Sequence, residues 1–277
     1  MELTLYQIDA FADRPFEGNP AAVCPLDEWL GDDLMQAIAA ENNLSETAFF
    51  TETKEGYHIR WFTPVTEVDL CGHATLASAY VVFNLLKCPK DQITFTSRSG
   101  RLTVTQKGEW LEMDLPTQTP LPCETPQQIL DAFDVTPAAC LKAEDYIVVF
   151  DDETSVLNAD PNFSLLSQLD LRGVAITAQS DRYDFVTRFF APKYGINEDP
   201  VTGSTFTQLI PYWAERLGKT AFAAKQVSKR GGEVNGTFAE ERVIISGKAA
   251  KYMVGKIEIP VSQTKAAGNP ENTFKGH

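Results

Sequence analysis

Residue types that bind transition metals are scarce in this sequence. It has three histidines and five scattered cysteines, an odd number with no CxxC pair. None of the histidines pairs with another histidine, a cysteine or an acid at ligand spacing, so we expect neither a zinc site nor a disulfide framework. Each cysteine is expected to act as a small buried hydrophobe. The cysteines are Cys24, Cys71, Cys88, Cys123 and Cys140.

Positive charge and long apolar runs are lacking too. The chain has 24 basic and 38 acidic residues, a formal net charge of −14, and no basic stripe that could attract a polyanion. No run reaches the ~18 apolar residues of a membrane span. The N-terminal MELTLYQIDAFADRPF has acids where a signal peptide has Lys or Arg. We therefore expect a cytoplasmic protein that binds neither nucleic acid nor membrane.

The remaining composition is typical of a folded globular protein, with 43% hydrophobic and 22% charged residues among 277. Strand-like and helical patterns alternate, which predicts an α/β or α+β fold. The predicted strands are Leu3–Ile8, Glu46–Thr51, His58–Phe62, Ile93–Thr96, Arg101–Gln106, Trp110–Leu115, Tyr146–Phe150, Phe185–Phe190 and Arg242–Ser246. The predicted helices are Gly31–Asn42, His73–Leu86, Pro126–Phe133 and Ser204–Leu217.

Three pairs of short motifs suggest an internal duplication. RWFTP at Arg60 is echoed by RFFAP at Arg188, 128 positions later. A glycine before a helix recurs at Gly72 and Gly203, 131 positions apart, and SRSG and SKRG recur at the same spacing. One match alone could arise by chance, but a shared spacing across a helix and the following loop favours duplication. We predict two pseudo-symmetric lobes, residues 1–120 and 121–277, with strand exchange at the chain ends left open.

The two glycine turns predict where a ligand binds. Helix N-termini carry free N–H groups and partial positive charge, so two of them in one cleft would hold a small carboxylate. Taken singly, Ser204 fits a plain N-cap and His73 fits an ordinary first-turn histidine. With Asp69 and Asp199 near it in the motifs, His73 becomes a candidate proton-handling group. Asp199, just before a proline, fits a turn cap and an active-site role equally well.

Glu46 is the candidate acid/base. It lies where a loop enters an apolar strand, in ENNLSETAFF, and burial there would raise its pKa toward neutrality. Most glutamates are solvated surface groups, however, so the residues alone indicate a site without naming a reaction.

At these motifs the sequence resembles the PhzF-like (phenazine biosynthesis) family, which shares the diaminopimelate epimerase fold. The matching segments are IDAFADRPFEGNPAAVC, NLSETAFF, RWFTPVTEVDLCGHAT, RFFAPKYGINEDPVTGS and PYWAERLGK. The resemblance implies two α/β lobes, each a mixed β-sheet wrapped around a central helix. It also implies a site between the lobes and no cofactor.

The resemblance assigns roles to individual residues. Glu46 matches the family's acid/base, His73 the motif histidine, and Asp199 and Ser204 the facing pair. It implies that the substrate is bound by Asn19, Gly72, Gly203, Ser204 and Thr205.

The sequence departs from the epimerases at a cysteine. Cys71 stands before Gly72 as their first catalytic cysteine does, but Thr202 occupies the second cysteine position. A threonine hydroxyl is too weak an acid to replace a thiol, so two-thiol racemisation is disfavoured.

These expectations lead to an isomerase in which Glu46 moves a proton between carbons of a small carboxylate. One alternative is an amino-acid epimerase that uses Glu46 with Cys71. The other is a carboxylate-binding protein without turnover. A homodimer is compatible with the sequence.

Overall fold

The computed structural model describes residues 1–259. The strands of the first half are β1 (Glu2–Ala10), β2 (Asn19–Leu26), β3 (Glu46–Thr53), β4 (Gly56–Phe62), β5 (Glu67–Val68), β6 (Gln92–Ser97), β7 (Gly100–Lys107), β8 (Trp110–Pro116) and β9 (Leu121–Pro122). Those of the second half are β10 (Ala139–Lys142), β11 (Tyr146–Val149), β12 (Val174–Gln179), β13 (Phe185–Ala191), β14 (Ile196–Asp199), β15 (Ala221–Gln226), β16 (Gly232–Ala239), β17 (Arg242–Gly247) and β18 (Ala249–Glu258). The helices are α1 (Asp32–Asn42), α2 (Gly72–Tyr80), α3 (Gln127–Ala132), α4 (Glu153–Leu157), α5 (Phe163–Leu166) and α6 (Phe206–Leu217).

All the strands belong to one continuous sheet that repeats a single topology twice. The first lobe has the order β18–β1–β2–β3–β4–β6–β7–β8, with β5 added to β4. The second has the order β9–β10–β11–β12–β13–β15–β16–β17, with β14 added to β13. The order of parallel and antiparallel pairings is the same in both lobes. The two lobes are joined by the pairing of β8 with β17. The predicted pseudo-symmetric α/β fold is therefore confirmed.

The last described strand crosses from the second half of the chain to the first lobe. β18, from the end of the described chain, pairs with β1 and so completes the first lobe. The strand exchange that the sequence left open thus occurs. The boundary at residue 120 stays a prediction, and residues 260–277 of the predicted second lobe lie outside the described range.

Each lobe is wrapped around one buried helix. In α2, seven of the nine residues are buried, from His73 to Ala79, so this helix has no solvent face. A π-helical turn, Val81–Leu85, continues it. Its counterpart α6 follows a 3₁₀ turn, Gly203–Thr205. Within residues 1–259, no helix is long and apolar enough to cross a membrane.

Helix α6 contains a proline that a neighbouring segment compensates. Pro211 lies inside the helix and has no N–H to donate to the carbonyl of Thr207. That carbonyl instead accepts a hydrogen bond from the backbone N–H of Gln118, at 3.1 Å. The segment between β8 and β9, which links the lobes, is thereby attached to the central helix of the second lobe.

Corresponding hairpins in the two lobes are each held by an arginine–glutamate pair. Arg60 donates from Nε and Nη2 to the Glu67 carboxylate, at 2.7 and 2.8 Å, which joins β4 to β5. Arg188 donates to Glu198 in the same way, at 2.6 and 3.0 Å, which joins β13 to β14. Both are bidentate, charge-assisted pairs, which fix geometry as well as contributing energy. The duplication therefore extends to Glu67 and Glu198, which the repeated motifs did not include.

The cysteines depart in part from the expectation. All five are free, and Cys24, Cys71 and Cys140 are buried as predicted. Cys88 and Cys123 are only partly buried, so the prediction that each cysteine is a buried hydrophobe is wrong for these two.

Candidate active site between the two central helices

The two glycine turns face each other at the centre of the molecule. A Cβ atom added to Gly72 would lie 3.9 Å from both Gly203 Cα and Ser204 N. One added to Gly203 would lie 3.4 Å from Phe11 Cζ, so little room is left for a side chain there. Neither Cys71 nor Thr202, the residues before the turns, makes a side-chain capping hydrogen bond. The positive ends of two helices thus converge without a side chain to neutralise them.

Glu46 enters this centre from the first residue of β3, beside Ala21 of β2. Its side chain is 13% exposed, and Oε2 lies 3.2 Å from His73 Nε2. The angles do not suit a hydrogen bond, so both atoms are buried without a hydrogen-bond partner. Burial, and then the negative charge of Asp199, raise the pKa of Glu46 to about 8, although a contact with Cys71 opposes the rise. A carboxyl group with such a pKa exchanges protons readily near neutral pH.

His73 is neutral in this environment, because burial lowers its pKa to about 3. Its Nδ1 lies 3.6 Å from Cys71 Sγ and 3.3 Å from Asn19 Nδ2. The two amide hydrogens of Asn19 go to closer acceptors, Asp199 Oδ1 at 2.8 Å and Val201 O at 2.9 Å. The thiol of Cys71 remains as a donor for Nδ1, and a hydrogen bond from it would place the ring hydrogen on Nε2, on the side of Glu46.

Asp199, at the end of β14, is engaged through both carboxylate oxygens. Oδ1 accepts from Asn19, and Oδ2 accepts from the hydroxyl of Thr202. The side chain of Gln226 fixes the backbone from Asp199 to Thr202. Its amide nitrogen donates to Asp199 O at 2.7 Å, and its amide oxygen accepts from Thr202 N at 2.8 Å. Burial raises the pKa of Asp199 to about 6, while the bonds from Thr202 and Asn19 oppose this. Asp199 therefore orients its neighbours and adds negative charge near Glu46.

The thiol of Cys71 is a poor acid here. Burial, and then the charge of Glu46, raise the pKa of Cys71 well above its usual range. Thr202 stands at the corresponding position of the second lobe, with its hydroxyl committed to Asp199. Neither group is suited to carry a proton away as an anion.

A cation that sequence analysis missed completes the centre. Arg172, just before β12, donates from Nη1 to Ser204 Oγ at 3.0 Å. Its Nε and Nη2 bind both oxygens of Asp145, at 2.9 and 2.6 Å. Asp145 has no exposed side-chain surface and also accepts from Gln208 at 2.7 Å. A buried carboxylate and amide thus hold the guanidinium beside the N-terminus of α6, where it can meet an anion.

Two predicted contributors lie elsewhere. Asp69 is exposed, and its carboxylate lies 3.9 Å from Arg98, so it does not support His73 as we expected. Thr205 is buried with its hydroxyl 3.4 Å from Asp145, so it supports the carboxylate that holds Arg172.

Ser204 is not an N-cap, because its hydroxyl accepts from Arg172 and α6 begins at Phe206. Asn19, Gly72, Gly203, Glu46, His73 and Asp199 do come together.

Glu46, Cys71 and His73 also form a potential metal-binding group. One ligand atom from each lies within 4.8 Å of the others, and carboxylate, thiolate and imidazole are all zinc ligands. The statement that no histidine pairs with a cysteine or an acid is therefore wrong in three dimensions, because the fold brings Glu46 to His73. The expectation of no bound metal stays a prediction.

Comparison with known proteins gives the class of this fold. The sequence profile of the family described as "Phenazine biosynthesis-like protein" matches residues 8–255. The chain belongs to this family, known as PhzF.

Two relatives cover nearly the whole chain. An uncharacterized isomerase of Pseudomonas aeruginosa is 54% identical over 94% of this chain and all of the relative. The crystal structure of a PhzF family phenazine biosynthesis protein from Enterococcus faecalis has a TM-score of 0.92 at 45% identity, over 94% of this chain and all of that one.

A more distant structure shares the fold alone. A hydroxyproline epimerase from Agrobacterium vitis, solved with bound trans-4-hydroxy-L-proline, has a TM-score of 0.57 at 10% identity. It covers 92% of each chain.

Proposed function

We propose that this protein is a cofactor-independent isomerase that moves a proton between two carbons of a small carboxylate, with Glu46 as its single acid/base. One observation carries the proposal. Three buried carboxylates surround the converging helix ends, and both oxygens of Asp145 and of Asp199 are engaged. Of these three carboxylates, only that of Glu46 has a buried oxygen without a hydrogen-bond partner in residues 1–259.

The substrate carboxylate binds at the positive ends of α2 and α6. The backbone N–H groups at Gly203 and Ser204 and the guanidinium of Arg172 are the donors for it. Proton transfer requires the base to lie within hydrogen-bond reach of the reacting carbon. This anchor holds the carbon next to the carboxylate within reach of Glu46.

The proton then moves in two steps on one face of the substrate. Ionised Glu46 removes a proton from the carbon next to an unsaturated or carbonyl system, and the electron pair is delocalised into that system. The Nε2–H of neutral His73 hydrogen-bonds the developing negative charge. Glu46, whose proton exchanges with solvent before it is returned, then protonates a different carbon, so that a double bond migrates and the atoms of the substrate are conserved.

The geometry favours this reaction over epimerisation. Inversion at one carbon requires a second proton donor on the opposite face of the substrate. Cys71 has a strongly raised pKa, and the hydroxyl of Thr202 is bound to Asp199. The relatives named isomerases agree with the proposal at the level of reaction class.

The test is proton exchange in deuterated water with a panel of unsaturated and keto carboxylates. We expect deuterium at carbon together with double-bond migration for at least one compound. Glu46→Gln keeps the shape of the side chain and removes the base, so exchange should fall by about 10²–10⁴ while the carboxylate still binds. Cys71→Ser is the matched variant, because it changes a neighbouring buried group and should retain most of the activity.

Three results separate the alternatives. Deuterium incorporation with inversion and no bond migration identifies an epimerase. Binding by the whole panel without any exchange identifies a carboxylate-binding protein. Exchange in Glu46→Gln near the parent rate contradicts Glu46 as the acid/base.

A further inference from the structure

A second cavity lies away from Glu46 and His73. It has a volume of about 410 Å³, and its lining includes five basic and three acidic side chains. This excess of positive charge occurs in a chain whose formal net charge is −14. The basic residues come from separate segments of the chain, and they are Arg14, Arg182, Lys225, Arg230 and Lys248. The fold thus gathers cations at one place on an acidic molecule.

Three of these cations already have carboxylate partners. Arg14 pairs with Glu17, Arg230 with the buried Asp9, and Lys248 with Asp13. Within residues 1–259, Arg182 and Lys225 have no carboxylate oxygen within 4.0 Å. These two side chains are the cations of the lining that no carboxylate pairs with.

The acid opposite Lys225 in the sheet does not form an ion pair with it. Glu233 stands directly opposite Lys225 in the β15–β16 register, yet its carboxylate accepts a hydrogen bond of 2.5 Å from the Tyr183 hydroxyl. Arg182 and Lys225 both lie over the ring of Tyr183, at 5.3 and 5.7 Å from its centroid. Two cations beside one ring, neither of them paired with a carboxylate, can together contact a doubly negative group.

We propose that this cavity binds a phosphate-bearing small molecule, with its phosphoryl group on Lys225 and Arg182. A phosphate monoester has close to two negative charges at neutral pH, so one such group can contact both of the cations that lack a carboxylate partner. The volume leaves room for an organic part beside the phosphate. Trp110 lines the cavity next to Lys248 and offers a ring on which a flat group can stack.

The cavity shares a wall with the candidate active site. Phe11 lines the cavity, and its ring would lie 3.4 Å from a Cβ added to Gly203 at the N-terminus of α6. Phe11 has φ of 59°, a costly conformation for an aromatic residue, so its position is set by its surroundings. Arg230 holds the adjoining loop through Gly18 O at 2.7 Å. A ligand in the cavity would therefore contact the residue that packs against the anion-binding turn.

Isothermal titration calorimetry on the full chain tests the proposal, with phenyl phosphate as the probe. We expect binding that weakens as salt rises, with inorganic phosphate weaker than phenyl phosphate and benzoate weakest. Lys225→Gln and Arg182→Gln should each weaken phenyl phosphate binding at least tenfold. Neither change removes the partner of an acid, so both variants should fold.

Two matched variants locate the binding. Lys229→Gln removes an exposed neighbouring cation that does not line the cavity, and it should bind as the parent does. Arg172→Lys alters the anion site in the cleft and should also leave the affinity for phenyl phosphate unchanged. The proposal is overturned if the parent does not bind phenyl phosphate at 10 mM. It is equally overturned if Lys225→Gln and Arg182→Gln bind like the parent, or if only Arg172→Lys loses binding.

Discussion

The two lobes repeat one topology, yet they place different chemistry in the cleft. The positions 131 residues apart pair Cys71 with Thr202, Gly72 with Gly203 and His73 with Ser204. Both lobes have a glycine at the second of these positions, so in each lobe the N-terminus of the central helix is open to an anion. The side chains beside them differ: the first lobe has an imidazole and a thiol, and the second has two hydroxyls. In the proposed mechanism both lobes therefore bind the anion, whereas only the first lobe handles the proton.

The same asymmetry extends to the acid/base. Glu46 precedes Thr47, which pairs with Phe62 across β3 and β4. In the second lobe the matching pair is Val174 with Phe190, so Gly173 corresponds to Glu46. A Cβ at Gly173 would lie 2.5 Å from Phe189 Cζ and 2.7 Å from Phe190 O, which leaves no space for a side chain. The packing of the second lobe therefore excludes a second base at the corresponding position.

The largest effect expected from this difference is on stability. Gly173→Ala should lower the free energy of unfolding by about 3 kcal/mol, because the added methyl group overlaps Phe189 and the Phe190 backbone. Gly255→Ala is the control, since nothing lies within 4 Å of its added Cβ. Urea denaturation measures both. Equal stability of the two variants would show that Gly173 tolerates a side chain and that packing does not cause the asymmetry.

A smaller effect is expected on ligand binding by the second lobe. Arg172→Lys keeps the charge opposite Asp145 but loses the planar fork, so KM for the exchanged carboxylate should rise about tenfold with kcat unchanged. Arg188→Lys loses a similar fork away from the cleft and should leave KM as it is. Steady-state exchange kinetics give both values. A fall in kcat with constant KM would mean that Arg172 does not anchor the ground-state substrate.

A still smaller difference is expected between the two hairpin pairs. Glu67→Gln leaves Arg60 with Asp32 at 2.8 Å and should cost about 1 kcal/mol. Glu198→Gln leaves Arg188 with only the backbone carbonyls of Val156 and Ala159, and should cost about 2 kcal/mol. Thermal unfolding of the two variants measures which one loses more stability. The reverse order would mean that Asp32 does not compensate for the lost carboxylate.

The sequence predicted the elements next to the motifs, whereas β12, β15, β16 and several shorter strands were not predicted. The helices around the glycine turns and the strands before Pro64 and Pro192 occur where the motifs indicated. β2 was missed because Pro20 and Pro25 interrupt it, and proline normally marks an edge strand. β18 was missed because nothing local shows that it pairs with β1, more than 240 residues earlier.

The site was predictable only where a motif marked it. Glu46, His73 and Asp199 were candidates from the residues themselves, and the resemblance gave them roles. The structure shows the long-range contacts that unite them. Arg172 and Asp145 were missed, because an arginine before a strand and an aspartate 27 residues earlier form no recognisable pattern. Their pairing depends on the parallel β11–β12 register, which no spacing reveals.

The central claim is that the first lobe alone supplies the proton-transferring group, Glu46. The most direct measurement is a pH titration of the Glu46 side-chain carbon by ¹³C NMR, assigned through its loss in Glu46→Gln. The account predicts a pKa of about 8 in the parent, and a lower pKa in Asp199→Asn, because that change removes the nearby negative charge. The rate of exchange should then rise with pH through the same range, as Glu46 loses its proton. A Glu46 pKa near the ordinary 4.5, unchanged in Asp199→Asn, would contradict the account.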